Sequence, residues 1–549
     1  MTRRFLAALA LGAALTAVMT YPTIVEPGSM ARYDTGDGRF STWNVAWVAH
    51  ALVENPRHVF DANIFYPHRG ALAYSEANLV AGALGVPVYA LTRNPILTHN
   101  VVIYAVLVLA FVSMWALVFR LTGAFGPALV AATGFTFAPF VSARTAHMQL
   151  LMIFVFPVAM IALHRFVEAP GVRRGAMLGL SLALAALSCG YYGIYAGMAV
   201  GLGALWFAFR HQAPRAYWIG LLVAVLVPVA IVGPVLRPYL VLRAEGGARQ
   251  QINVDELRSY SADARAYLTS PAYAHRWITD AIGRGREVLF PGAIVTILAC
   301  AAFLRRRRRA AAPEPAGVVG KPRLPPEGYY AILGLLALWA SFGPDAGFYT
   351  LLSHSLPFMS FLRAPARIGI VVVFALTVLA GYGLARLTAL RGRTIASAAL
   401  VALVAAEVTV TPWPLVRVPP VPTAYQMLAQ LPRGTVVDFH FAYRRDALYV
   451  HTRAMFWSMF HWQPLVNGYS DFIPADFHEI RIPINGFPDA ESFRIMKARD
   501  VRYVVVNLGD YLPEQRAVLM ARFPAYSEFL RPLVSTGDVW LYEIVSYPN

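Results

Sequence analysis

Long apolar runs, separated by short polar segments, occupy most of the first 411 residues of the chain. Each run approaches the roughly 20 apolar residues that a helix needs to cross a bilayer. The pattern therefore indicates an all-α, polytopic membrane protein with about eleven membrane-spanning helices. The predicted spans lie near residues 5–24, 99–119, 125–141, 148–164, 175–190, 192–209, 216–235, 288–304, 329–343, 367–386 and 395–411.

The pattern changes after Thr411, where the segment PWPLVRVPPVP ends the last apolar run. Short helical and strand-like patterns then alternate, which is typical of a small α/β domain. We predict a transmembrane domain at 1–411 and a C-terminal α/β domain at 412–549. The helical patterns are AYQMLAQL and ESFRIMKAR, and the strand patterns are TVVDFHF, VRYVVV and VWLYEIV.

Three polar connections within the first domain are long. The first outer loop, 26–98, contains two helical patterns, one with Trp43 and Trp47 and one around residues 79–91, and we expect both helices at the membrane interface. A second outer loop spans 237–287. Residues 310–327 are rich in proline, which predicts a cytoplasmic linker without fixed structure.

Basic residues are unevenly distributed between the two sides of the predicted membrane. The loops on the N-terminal side carry most of the arginines, so the positive-inside rule places the N-terminus in the cytoplasm. An odd number of spans then places the C-terminus outside the cytoplasm, and we expect a bacterial inner-membrane location. No small-x-small cleavage site precedes Tyr21, so we expect the first helix to be retained rather than removed as a signal peptide.

Composition supports a membrane protein and excludes several other classes. The chain is 58% hydrophobic and 14% charged, whereas soluble domains are about 25% charged. The net charge of +17 comes from loop arginines, so it does not indicate a nucleic-acid partner. Cys189 and Cys300 both lie in apolar runs, which argues against a disulfide framework or a cysteine metal site.

The first candidate site is the acidic pair Asp34 and Asp37, in a glycine-containing segment just outside the first span. Such carboxylates can coordinate a divalent cation such as Mg²⁺ or Mn²⁺, or one can act as a general base toward an acceptor hydroxyl. The alternative is structural. Asp37 or Ser41 would cap the following helix, and Asp34 would occupy a turn.

The second candidate is the pair Arg363 and Arg367, at the outer end of the predicted tenth span, where the positive-inside rule disfavours arginine. Guanidinium groups suit a phosphate at the interface, although arginines at this depth can also simply reach the headgroups. Arg144 and His147, in a tight outer turn, and Glu76, in the first outer loop, complete the set. These acids, arginines and histidine are all predicted on the outer side of the membrane at a similar depth. That arrangement suits the binding of a phosphorylated lipid.

Three segments give the chain a resemblance to integral-membrane glycosyltransferases of the GT-C fold. They are the acidic segment Asp34 to Asp37 followed by helices, the run HMQLLMIFVFPVAMIALHRF with CGYYGIYAG, and FLRAPARIGIVVVFALTVLAGYGL followed by a domain containing VNGYSDFIPADF. The second and third segments particularly resemble bacterial membrane proteins of the YfhO-like kind.

The resemblance implies sugar transfer from a polyprenyl-phosphate donor to an envelope glycan, lipid or protein acceptor on the outer face. Asp37 best matches the family's catalytic position, with Asp34 assisting or holding a cation. Arg363 and Arg367 would hold the lipid phosphate. The chain has Asp-x-x-Asp in place of the family's Asp-Glu or Asp-x-Asp, so the metal requirement stays open.

Two other function classes fit parts of the sequence. A transporter or flippase of lipid-linked sugars would need ionisable groups near the bilayer midplane, and the spans have few, with Glu407 as one near an outer end. A non-catalytic envelope-assembly protein would tolerate loss of the first-loop acids.

Overall fold

The computed structural model describes residues 2–211, 213–244, 253–304, 326–356, 358–359, 362–387 and 393–548. Helices of eight or more residues are Thr2–Met19, Gly36–Glu54, Leu79–Thr92, Pro95–Thr122, Phe125–Thr136, Val155–Glu168, Val172–Ser188, Gly190–His211, Arg215–Val235, Ala293–Ala301, Pro326–Ser341, Phe348–Ser355, Gly369–Leu387, Arg393–Val408, Ala490–Lys497 and Pro513–Arg522. Shorter α-helices are Pro139–Ser142, Met148–Leu151, Arg237–Leu242, Val254–Ser259, Arg276–Ile282, Thr423–Leu428, Thr452–Ser458 and Ala475–Ile480.

Every predicted span coincides with a helix, but the described residues contain only six helical segments long and apolar enough to cross a membrane. The five other predicted spans correspond to shorter helices. One of them, 148–164, is divided between Met148–Leu151 and Val155–Glu168, and another, 288–304, contains the helix Ala293–Ala301. The mostly helical membrane architecture is confirmed. The number of eleven spans and the orientation of the termini stay predictions.

The strands form two sheets. Strand β1, Met30–Ala31, pairs antiparallel with β2, Val416–Arg417, and ties the first outer loop to the start of the C-terminal region. A mixed four-stranded sheet has the order β3-β4-β6-β5. Only β3 and β4 are parallel, and the other neighbours are antiparallel; the four strands are β3 at Thr435–Phe439, β4 at Val501–Asn507, β5 at Leu530–Val534 and β6 at Val539–Ile544.

The sequence pattern predicted β3, β4 and β6 but not β5. Strand β5 contains Pro532, and it lies at the edge of the sheet. Proline lacks the N–H group that a central strand needs, so edge strands are where it is tolerated. The same feature that obscured this strand in the sequence is consistent with its place in the fold.

The first outer loop and the C-terminal region share one hydrophobic core. Trp43 is 1% exposed and belongs to the same cluster as Phe456 and Val504. The indoles of this helix therefore pack inside the protein, and the expectation that the helix lies at the membrane interface stays a prediction. Its indoles point into protein: Trp43 Nε1 donates to Asn63 Oδ1 over 3.2 Å, and Trp47 Nε1 donates to the Val59 carbonyl over 2.8 Å.

The proline-rich linker predicted at 310–327 lies outside the described residues, apart from its last two. These two, Pro326 and Glu327, begin the helix Pro326–Ser341.

Candidate functional site

The helix Gly36–Glu54 carries the first acidic candidate in its first turn. Its N-cap is Thr35, whose extended backbone lets Oγ1 accept a hydrogen bond from the Gly38 N–H over 3.1 Å. The expectation that Asp37 or Ser41 caps this helix is therefore wrong. Ser41 Oγ accepts a bond from the Met148 N–H over 3.2 Å instead, and the Asp37 side chain is 57% exposed. The Asp37 carboxylate is thus left available for another role.

Asp37 faces the tight turn that contains His147. Asp37 Oδ2 lies 3.5 Å from His147 Nε2. Burial lowers the pKa of His147 to about 4, and the positive charges of Arg367, Arg144 and Arg363 reinforce this effect against the opposing effect of Asp37. The imidazole is consequently neutral at physiological pH, and an uncharged ring can exchange hydrogen bonds with a carboxylate or a hydroxyl.

Asp34, the other acid of the segment, is held by a neighbouring arginine. Arg32 contacts both its carboxylate oxygens, with Nε 3.0 Å from Oδ1 and Nη2 3.2 Å from Oδ2. Arg32 Nη1 also donates to Thr145 Oγ1 over 2.7 Å, which fastens the acidic segment to the turn carrying His147.

The placement of these acids does not make a cation site. Within the described ranges, no group of three or more His, Cys, Asp or Glu side chains is arranged to hold a metal ion. Asp34 is paired with Arg32, and Asp37 and His147 supply two potential ligands. A divalent cation bound by protein oxygens needs more ligands than this pair offers, so the arrangement fits a base better than a metal ligand set.

The two arginines of the second candidate have different environments. Arg363 Nη2 lies 3.1 Å from Asp471 Oδ1, and its backbone N–H donates to the Tyr191 hydroxyl over 3.1 Å. The guanidinium of Arg367 lies 4.6 Å from the centre of the Tyr191 ring, a cation–π contact. Arg367 forms no ion pair with any residue in the described part of the chain. Arg367 is therefore the more available of the two for an anionic ligand.

Arg144 and Glu76 mainly connect segments of the chain through an ion pair and a hydrogen bond. Arg144 forms an ion pair with Glu287 of the second outer loop, and its guanidinium lies 5.1 Å from the Phe140 ring centre. Glu76 Oε1 accepts a bond of 2.5 Å from the Gly190 N–H at the start of the helix Gly190–His211. Burial raises the pKa of Glu76. These contacts favour structural roles for both residues.

The C-terminal region contributes two residues that the sequence analysis did not single out, Tyr469 and Asp471. Ser75 Oγ donates to Asp471 Oδ2 over 2.9 Å, and Tyr469 packs edge-on against Phe40 at 6.0 Å between ring centres. Burial raises the pKa of Tyr469, and the charge of Asp37 adds to this effect. Both residues belong to the segment VNGYSDF, but its polar composition gives no indication that it folds back onto a helix more than 400 positions earlier.

An apolar cavity lies between helices of the first region. Its volume is about 150 Å³, and it is lined by Tyr195, Leu333, Ala337, Ile368 and Val371, among others. Ile368 follows Arg367 directly, and Tyr195 lies one helical turn beyond Tyr191. The lining of this cavity thus includes the residue that follows Arg367 in the sequence.

Comparisons with known proteins show a similarity of fold at low sequence identity. No family profile and no curated protein matches the chain. A cryo-EM structure of the arabinofuranosyltransferase AftD from Mycobacteria covers 100% of this chain and 40% of its own, with 13% identity and a TM-score of 0.55. A mutant of that protein covers 98% of this chain and 41% of its own, with 16% identity and a TM-score of 0.57.

A crystal structure of ArnT from Cupriavidus metallidurans in the apo state covers 98% of this chain and 97% of its own, with 13% identity. Its TM-score of 0.39 is too low to support an argument about fold. This chain spans about two fifths of the length of the AftD structures. Over its whole length, the chain is structurally similar to membrane glycosyltransferases of the GT-C fold.

Proposed function

We propose that this protein is an inverting membrane glycosyltransferase, of the YfhO-like kind, that uses a polyprenyl-phosphate sugar as its donor. The acceptor is an envelope glycan, lipid or protein on the outer face of a bacterial inner membrane. The observation that carries the proposal is the environment of His147. Its Nε2 lies 3.5 Å from the exposed carboxylate of Asp37, and the charge of Arg367 lowers its pKa. The proposed base and the proposed phosphate ligand thus both act electrostatically on His147.

Asp37 is the proposed base. Its carboxylate takes the proton from an acceptor hydroxyl, whose oxygen attacks the anomeric carbon of the donor sugar. The bond from that carbon to the phosphate oxygen breaks, and polyprenyl phosphate leaves with the electron pair. Neutral His147, whose Nε2 lies 3.5 Å from Asp37 Oδ2, is the proposed positioning residue for this carboxylate. Side-chain bases of this kind contribute about 10²–10⁴-fold to a rate.

Arg367 is the proposed phosphate ligand. Negative charge increases on the phosphate as it leaves, so a fixed guanidinium stabilises the transition state more than the ground state. The apolar cavity beside Ile368 and Val371 would receive the first part of the polyprenyl chain. Arg363 is already engaged with Asp471, so its proposed role is to hold the C-terminal region against the site.

A transporter is less well supported. Glu407, the acid noted near the outer end of a span, lies 3.2 Å from His275 Nε2, and its carboxylate accepts the backbone N–H groups of Ala293 and Ile294. It therefore caps the start of the helix Ala293–Ala301, a structural role that satisfies otherwise unpaired donors. This acid is accounted for without a transport function.

The experiment uses the full chain purified into lipid nanodiscs with polyprenyl-phosphate pentoses and hexoses, and it measures release of polyprenyl phosphate in the presence of an envelope extract. We expect release with at least one donor, and loss of release in Asp37→Asn. No release with any donor would overturn the proposal in favour of an assembly role, and equal release by Asp37→Asn would reject Asp37 as the base.

A further inference from the structure

A second cleft, of about 450 Å³, shares no lining residue with the apolar cavity. Its walls include Tyr33 of the first outer loop together with Arg453, Trp457, Asn507 and Asp538 of the C-terminal region. Asn507 is the last residue of β4, which runs parallel to β3. The carboxyl ends of parallel strands commonly hold ligands, and small-molecule sites have volumes of roughly 300–1,000 Å³.

The walls of this cleft combine flat apolar surfaces with a polar rim. The Tyr33 and Trp457 rings lie 5.7 Å apart at 60°, and two prolines, Pro419 and Pro422, continue the apolar side. The rim bears the amide of Asn507 and the carboxylate of Asp538. A sugar ring has the matching surfaces, because its C–H faces pack on aromatic rings while its hydroxyls reach hydrogen-bonding groups.

The charges of the cleft disfavour an anionic ligand. Arg453 is the one cation among the described lining residues, and it forms a two-pronged ion pair with Asp510. Asp538 adds an exposed negative charge to the rim. A phosphate or sulfate would meet a guanidinium that is already neutralised and a carboxylate that repels it. A neutral, polyhydroxylated ligand meets neither obstacle.

The cleft is joined to the proposed base through one short segment. Tyr33 lines the cleft, and Asp37 lies four residues further along. Arg39 stabilises this segment through three contacts. Its Nη1 donates to the Tyr33 carbonyl over 2.7 Å, and its Nε donates to Thr452 Oγ1 over 3.0 Å. Its guanidinium also lies 5.7 Å from the Tyr33 ring centre. A ligand that contacts Tyr33 in the cleft would therefore contact the segment that leads into the helix bearing Asp37.

We infer that this cleft binds a neutral oligosaccharide, namely the part of a glycan acceptor that lies beyond the reacting sugar. The role of this glycan as an acceptor rests on the proposed function. The binding of an oligosaccharide to the cleft requires neither donor nor turnover. The inference narrows the acceptor class from glycan, lipid or protein to a neutral glycan.

The test measures binding by isothermal titration calorimetry in nanodiscs containing the full chain, without donor. The probes are linear neutral oligosaccharides of arabinose, mannose or galactose, with inorganic phosphate as the anionic probe. We expect binding of at least one oligosaccharide, about tenfold weaker in Tyr33→Ala because an aromatic contact is lost. Asp538→Ala, at an exposed rim position where folding is not at risk, is expected to weaken binding several-fold.

Tyr443→Ala is the matched control, since Tyr443 is an exposed tyrosine of the same region that does not line the cleft. Three outcomes would each overturn the inference: absence of oligosaccharide binding, wild-type binding by both cleft variants, or phosphate binding that Asp538→Ala strengthens. Donor turnover is measured separately. A protein that releases polyprenyl phosphate but binds no oligosaccharide refutes only the cleft, and one that binds oligosaccharide without any turnover refutes only the transferase.

Discussion

The carboxylate of Asp37 lies 3.5 Å from Nε2 of His147, across a gap of 110 positions in the sequence. Two further contacts hold the same two segments together, from Arg32 to Thr145 and from the Met148 N–H to Ser41. The pairing is therefore set by the packing of the first outer loop on a short turn between spans. It gives the exposed acid a neutral partner without fixing it in a salt bridge to arginine.

The first prediction concerns Asp37. We expect Asp37→Asn and Asp37→Ala both to reduce sugar transfer by about 10²–10⁴-fold, since either change removes the base. Both variants should keep the melting temperature of the wild type, because Thr35 and not Asp37 caps the helix. The measurements are initial rates of polyprenyl-phosphate release and melting temperatures from tryptophan fluorescence.

Two variants of the same helix serve as controls for Asp37. Glu54→Gln also replaces a carboxylate by an amide, but at the C-terminal end of the helix. At 1.5 Å per residue this position lies roughly 25 Å from Asp37, so the rate of sugar transfer should be unchanged. Thr35→Ala removes the cap and should destabilise the protein by about 1 kcal/mol. Near-wild-type turnover in Asp37→Asn would reject Asp37 as the base and direct attention to Asp34 or Glu76.

The second prediction separates the outer arginines. Arg367→Gln should weaken the binding of a non-transferable polyprenyl-phosphate analogue about tenfold or more, because a charge-assisted hydrogen bond contributes about 1.5–3 kcal/mol. Arg363→Gln should have a smaller effect on analogue binding, since Asp471 already engages that guanidinium. Competition binding with a labelled lipid phosphate measures both.

Arg144→Gln is the matched comparison for the arginine pair. Its guanidinium is paired with Glu287, and both side chains are mostly buried, so the loss should lower the melting temperature more than analogue affinity. If Arg367→Gln left analogue binding intact, Arg367 would be an interfacial arginine that merely reaches the headgroups.

The third prediction concerns orientation. The arginine asymmetry places the N-terminus in the cytoplasm and the C-terminus outside. A reporter that is active only outside the cytoplasm should therefore be active when fused after Asn549 and inactive when inserted within 310–327. The opposite pattern of activity would invert the site as well, because Asp37, His147 and Arg367 would then face the cytoplasm.

The sequence was informative where one physical requirement dominates a segment. Apolar length predicted a helix in each of the eleven predicted spans, and strand-like apolar segments predicted β3, β4 and β6. It did not reveal that the Trp43 side chain packs in a protein core, because an indole is suited both to a lipid interface and to a protein core. Residues 452–462 fold back onto this helix and bury its indoles. A local sequence pattern does not reveal packing between segments so far apart in the chain.

The candidate site shows the same limit. Residue type and depth suggested Asp37, His147 and Arg367, and the structure brings the charges of all three together. The same criteria also selected Arg144 and Arg363, which have acidic partners in Glu287 and Asp471. A partner far away in sequence decides whether an arginine is available, so no inspection of neighbouring residues could have separated these cases.

The last prediction is a dependence of stability on pH that arises from buried histidines in the shared core. Burial lowers the pKa of His451 from 6.5 to about 3, and its ring packs against Phe441 and Phe477. Between these two pKa values the unfolded chain binds a proton that the folded protein does not, so the free energy of unfolding falls as the pH falls below 6.5. At pH 5.5 the loss from this one group is about 1.4 kcal/mol. Asp438 acts in the opposite direction, since burial raises its pKa to about 6 and folding then favours proton uptake.

The test therefore compares slopes of melting temperature against pH. Between pH 7 and pH 5 the melting temperature of His451→Gln should fall less steeply than that of the wild type. His58→Gln, at an exposed position beside Asp61, should retain the wild-type slope. Equal slopes for all three proteins would show that His451 does not resist protonation in the folded state.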